Sequence, residues 1–214
     1  MPETKRLKHM PYVNFFISSV KHESALTTMA SLQSELRVTL PFHDMNQNIM
    51  TWGEEDTRRS LGPGDSLELI GPSGSGKSWI MHQIASYTLR QTPTSSIMLI
   101  DLDGRFDEIQ DERLHLFQPG SALRNLILGL EHWLETHANK HILWVIIDGK
   151  GLTTPMMNKL KQVQRKWAFV LLTSTHVHSD VSKRTFRFEL SKDKNGSIEM
   201  QMIYPSIQTA FVTK

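Results

Sequence analysis

Gly71-Pro72-Ser73-Gly74-Ser75-Gly76-Lys77-Ser78 is the stretch on which the fold of this chain turns. It fits the pattern G-x-x-x-x-G-K-[ST] with no mismatch. Glycines let the backbone curl so that successive N–H groups point at phosphate oxygens. Lys77 supplies a point charge for the β and γ phosphates of ATP, and the Ser78 hydroxyl is placed to coordinate Mg²⁺. Four fixed positions would arise by accident in a chain this long about one time in a hundred. Context lowers those odds further. Ser66 to Ile70 reads as a strand before the loop and Ser78 to Leu89 as a helix after it, so the positive end of the helix dipole faces the same phosphates.

Working outward, Gly62-Pro63-Gly64-Asp65 is a strong turn signal, and the chain beyond it alternates strand-like and helix-like stretches. Strands are expected at Ile97 to Asp101, Leu114 to Phe117, Ile142 to Ile147 and Ala168 to Thr173, with helices at Ala122 to Thr136 and Thr153 to Lys166. Near-continuously apolar strands in such an alternation predict an α/β fold, a mostly parallel sheet with helices on both faces. The tail changes character. Thr185 to Leu190 and Ser197 to Ile203 alternate apolar and polar with period two around an Asn195-Gly196 turn, which predicts a C-terminal antiparallel hairpin.

Phosphoryl transfer needs more than the loop: an acid at a strand end to support Mg²⁺, and a group to orient the attacking water or hydroxyl. The apolar run from Ile142 to Ile147 closes on Asp148, the form of a metal-supporting acid, although an Asp in that place also caps turns. Ile97 to Asp101 closes on two carboxylates at i and i+2, Asp101 and Asp103, which point to one side of an extended stretch. Asp103 is the candidate catalytic residue, while Asp101 suits a structural role and the pair also reads as a turn. Thr175 and His176, after the strand ending at Thr173, are candidate sensors of the γ-phosphate. His176 with His178, or His137 with His141, lacks a third ligand at metal-binding spacing.

The 214 residues suit one domain. With 39% hydrophobic and 21% charged residues, wholesale disorder and fibrous classes are excluded. Lys plus Arg exceed Asp plus Glu by 24 to 22, too mild a balance to announce a nucleic-acid binder. The absence of Cys excludes disulfides, thiol nucleophiles and thiolate zinc sites. No apolar stretch approaches the roughly twenty residues of a membrane span, and the N-terminus lacks a long apolar run with a small-residue cleavage site, so a soluble intracellular protein is expected.

Residues 1 to about 60 read as an accessory segment: an apolar patch from Tyr12 to Ile17, suited to docking on a partner or on the chain's own core, then a helix from Ser24 to Leu36. Residues 61–214 form the expected core. Lys159, Lys161, Arg165 and Lys166 cluster on one predicted helix, and Lys183 with Arg184 precede the hairpin. They are candidates for DNA phosphate contact or for an ordinary solvated surface.

In order, the phosphate loop, Leu99-Ile-Asp-Leu-Asp103-Gly-Arg-Phe106, the strand ending at Asp148, Val170-Leu-Leu-Thr-Ser-Thr-His176 and Thr185-Phe-Arg-Phe-Glu-Leu-Ser-Lys192 with its hairpin resemble the RecA-type ATPase core. Within that class the chain is similar to the eukaryotic recombinase paralogues of DNA repair, over residues 23 to 214. The resemblance implies a RecA-like ATPase core binding ATP and Mg²⁺, with Ser78 and Asp148 on the metal and Asp103 as the catalytic carboxylate of the family's I-D-T-E-G-x-F motif. It also implies a nuclear subunit of a hetero-oligomer with other recombinase paralogues. Such a complex assists the recombinase filament on single-stranded or branched DNA in homologous recombination and double-strand break repair, with at most a weak DNA-dependent ATPase activity.

The chain departs from the family where Gly149 replaces the usual Ser and where Thr175 and His176 stand in place of Gln, and both departures weaken the case for efficient hydrolysis. Two other functions fit the loop. One is a small-molecule or nucleotide kinase, with Arg105 and Arg113 as its phosphate clamp. The other is an adaptor subunit that does not use nucleotide.

Overall fold

The computed structural model describes residues 37–51, 60–106, 109–174 and 185–204. The apolar patch Tyr12 to Ile17, the helix expected at Ser24 to Leu36, the candidate sensors Thr175 and His176, and Lys183 and Arg184 lie outside them.

Among the described residues seven strands make one sheet: β1 (Ser66–Ile70), β2 (Ser95–Asp101), β3 (Leu114–Phe117), β4 (His141–Asp148), β5 (Val170–Thr173), β6 (Thr185–Lys192) and β7 (Ile198–Tyr204). Their order across the sheet is β3-β2-β4-β5-β1-β6-β7. Every neighbouring pair is parallel except β6 with β7, which is antiparallel. This is the α/β architecture expected from the alternation and the tail. Four α-helices accompany the sheet among the described residues: α1 (His43–Thr51), α2 (Lys77–Gln91), α3 (Leu123–Thr136) and α4 (Thr154–Trp167).

Successive strand residues point to opposite faces, so each strand feeds two cores. Leu67, Leu69, Ile97, Leu99, Trp144 and Ile146 bury on one face against Ile80, Ile84 and Leu89 of α2. Met98, Ile100, Val145 and Ile147 bury on the other against Ile127 and Leu130 of α3 and Leu160 and Val163 of α4. A sheet covered on both sides needs apolar residues in both registers, which is why β2 and β4 read as continuous apolar runs.

Helix α1 is not expected from the sequence. His43-Asp-Met-Asn-Gln-Asn-Ile-Met-Thr51 is polar overall and is anchored through Met45 and Ile49, one turn apart. Both are buried in the α2-side core together with Val38, Leu40 and Leu61, and Val38 bridges Leu61 in antiparallel fashion. The Asn46 side chain accepts from the Leu40 N–H at 3.0 Å and donates to the Leu40 carbonyl at 2.8 Å, closing the entry to the helix. Residues ahead of the turn at 62–65 therefore complete the core beside the phosphate loop.

Strand β6 carries an exception to period two. Arg187 is buried rather than solvated because its Nε and Nη2 donate to Glu68 Oε2 of β1, at 2.9 and 2.6 Å. A buried guanidinium is tolerable only with such a partner.

Candidate functional site: a phosphate loop and the strand ends beside it

The loop after β1 runs into α2, which begins at Lys77 with Gly76 in the left-handed conformation at φ +98°. Only glycine fits there. A Cβ would meet Ile198 of β7, so the C-terminal hairpin packs against the loop and holds its curl. Lys77 Nζ donates to the carbonyls of Gly71 and Pro72, both at 2.7 Å, and to Ser75 Oγ at 3.4 Å.

The parallel strands deliver the other residues to the same end of the sheet, the end at which open α/β sheets place their ligands. A cavity of about 210 Å³ is lined by loop residues with Asp103, Arg105, Asp148, Lys150 and Ser174. Loop, candidate catalytic acid and candidate metal acid thus share one cavity. Lys77 has its pKa lowered by burial, opposed by the Asp148 charge and reinforced by the cations Arg105 and Lys150.

Asp148 ends β4, buried. Because β5 lies between β1 and β4, Ser174 at the end of β5 donates to Asp148 Oδ1 at 2.6 Å and accepts the Gly149 N–H at 2.9 Å. The other carboxylate oxygen, Oδ2, is buried with no hydrogen-bond partner among the described residues. The unpartnered Asp148 oxygen and the Ser78 hydroxyl belong to residues lining the same cavity, and both are hard oxygen donors of the kind Mg²⁺ takes. No group of three or more His, Cys, Asp or Glu suited to a metal occurs among the described residues.

Asp101 has the structural role open to it. Its carboxylate accepts the backbone N–H groups of Asp103, Gly104, Arg105 and Phe106 and the Gln118 amide, at 2.6 to 3.3 Å. The loop so fixed carries Asp103 and Arg105 to the cavity, where Arg105 Nη2 pairs with Asp103 Oδ2 at 3.0 Å and Nη1 donates to Ser78 Oγ at 3.0 Å.

No protein-family model matches the chain, and no curated protein matches it. Among solved structures, the crystal structure of the RadB recombinase aligns with a TM-score of 0.46 at 14% identity, over 69% of this chain and 91% of that one.

Sequence reasoning missed Ser174, Lys150 and the link from Arg105 to Ser78. Ser174 stands one residue before the candidate sensors Thr175 and His176, and its place directly after a buried strand is the available signal. The Gly149 departure has a local reason: its φ is +115°, and a Cβ would come within 2.7 Å of Leu102 Cβ and 3.1 Å of Asp103 Oδ1. Of the basic cluster on α4, Lys159 and Lys166 form salt bridges to Glu131, and Lys166 also to Glu135, all from α3. Arg113, considered for a kinase clamp, instead pairs with Asp111 and donates to the carbonyls of Leu89 and Thr92.

Proposed function

We propose that this chain is a nucleotide-binding core of RecA type that takes ATP with Mg²⁺. The observation that carries the proposal is the convergence of Lys77, Ser78, Asp103 and Asp148 on one cavity at the carboxyl ends of the parallel strands. Lys77 neutralises phosphate, and Ser78 and Asp148 hold the metal, which when bound offsets charge on the terminal phosphates. Asp103 orients water if hydrolysis follows, and Thr175 or His176 reports the third phosphate.

The order of motifs supports a more specific role: an ATP-binding recombinase paralogue, one subunit of a nuclear hetero-oligomer that assists the recombinase filament on single-stranded DNA during homologous recombination and break repair. The paralogue most similar in its second motif, where acids stand at Asp101, Asp103 and Asp107, is X-ray repair cross-complementing protein two. DNA is met through the complex, since Lys159 and Lys166 are engaged by acids of the same chain. The engagement of Arg113 within its own loop counts against a kinase.

Titration of a labelled ATP analogue with Mg²⁺ tests the site. Wild type binds, and Lys77→Ala loses at least about tenfold in affinity with its circular dichroism unchanged, since a charge-assisted phosphate contact carries that much. Equal affinity in the two proteins refutes the assignment. Capture of the tagged chain from its native cells should recover recombinase or paralogue chains. Recovery of the chain alone, with phosphotransfer to a small molecule, establishes the kinase instead.

A further inference from the structure

Arg105 and Lys150 are charged residues of the cavity to which the nucleotide site gives no task, and of the two it is Arg105 that donates to the phosphate-loop residue Ser78. The place of Arg105 in the chain is well held, because Asp101 accepts its backbone N–H at 2.6 Å and those of Gly104 and Phe106 on either side. Its side chain, 51% exposed, reaches back to Ser78 Oγ and Asp103 Oδ2. The guanidinium is therefore held by a firmly placed backbone, and its half-exposed tip rests on one hydroxyl and one carboxylate at the cavity.

Three cations, Lys77, Arg105 and Lys150, line the cavity with two carboxylates, Asp103 and Asp148. Like charges gathered in this way are relieved by a polyanion, and the more charged the anion the greater the relief. Ser78 Oγ is also the oxygen suited to Mg²⁺. A guanidinium and a divalent cation would compete for that oxygen, so where Ser78 holds a metal Arg105 would leave it and stay at the cavity through Asp103. Its planar fork then has donors to spare for terminal phosphoryl oxygens, which it can grip in pairs as a lysine ammonium cannot.

We propose that Arg105 recognises the third phosphate and makes this site selective for a nucleoside triphosphate over a diphosphate. The proposal rests on the nucleotide-binding function above. It is tested by isothermal titration of ADP and of a non-hydrolysable ATP analogue, each with Mg²⁺, into wild type, Arg105→Ala and Arg105→Lys. Loss of a hydrogen-bonded charge should weaken the triphosphate about tenfold in Arg105→Ala and the diphosphate less than about twofold. Arg105→Lys should recover part of the difference, because it keeps the charge and loses the fork. Equal losses for the two nucleotides, or no loss for either, overturn the proposal while leaving the nucleotide site in place. Wild type that binds neither nucleotide overturns the nucleotide site, and the proposal with it. Thermal melting of each variant separates loss of binding from loss of fold, and Arg105→Lys decides the question if Arg105→Ala is unstable.

Discussion

Asp101 and Asp148 are register partners at the carboxyl ends of neighbouring parallel strands, and both are almost completely buried. Their surroundings differ. Asp101 accepts from four backbone N–H groups and a side-chain amide, while Asp148 accepts from Ser174 through one oxygen and leaves the other without a partner among the described residues. A carboxylate whose lone pairs are filled by backbone donors organises a loop. A buried carboxylate oxygen left without a partner costs stability, and beside a phosphate loop it is a candidate for a ligand. The same residue type, at the same height in the sheet, is filled by loop donors on one strand and left with an open oxygen on the next, which is the contrast that the proposed metal role of Asp148 rests on.

Conservative amide substitutions should break the two apart, and this is the largest effect expected. Asp101→Asn keeps one acceptor and turns an amide NH₂ toward backbone donors, so it should cost roughly 2–4 kcal/mol in urea unfolding. Asp148→Asn should change stability without ligand by less than about 1 kcal/mol, because it replaces an oxygen that has no hydrogen-bond partner and retains the oxygen that Ser174 uses. Its effect should instead fall on Mg²⁺-dependent affinity for nucleotide. Equal destabilisation by the two variants would erase the distinction.

A smaller effect is expected just past Asp148. Gly149→Ser introduces the residue usual in recombinases, yet φ +115° and the closeness of Leu102 and Asp103 oppose any Cβ. The substitution should destabilise by about 1–3 kcal/mol and weaken nucleotide binding through displaced Asp103. A more stable or tighter-binding variant would show that the loop after β2 yields easily and that Asp101 holds it less firmly than its bonds suggest.

The smallest effect lies at the opposite ends of the same two strands, where Ser95 Oγ and His141 Nδ1 share a hydrogen bond of 3.1 Å. Burial lowers the His141 pKa below its ordinary value. The folded state therefore prefers neutral imidazole while the unfolded chain takes up a proton near pH 6.5, so this contribution is complete above that pH and fades as pH falls toward the folded-state value. His141→Gln should flatten the acid-side fall in stability by less than about 1 kcal/mol, read from melting temperatures at several pH values. An unchanged slope would place the titration elsewhere, His115 being the next group lowered by burial.

The sequence by itself determined the parts of this protein that are local. Eight contiguous residues specified the phosphate loop, because a curled backbone with a lysine and a hydroxyl at its end is encoded within one turn. Apolar runs closing on Asp101 and Asp148 specified strand ends, and period two with Asn195-Gly196 specified the hairpin. The sequence suited Asp101 to structure and Asp148 to a metal, but the tertiary structure alone decided which donors fill the one and leave an oxygen of the other open. That depends on strand order, which sets Ser174 of β5 beside Asp148, and on the path of residues 103–106 around Asp101. It alone decided that α1 completes a core through Met45 and Ile49, that Arg187 is buried through Glu68, and that Arg105 reaches Ser78 from 27 residues away. Such contacts join residues distant in the chain, and no short-range propensity or spacing carries a signal for a partner that only folding brings within reach.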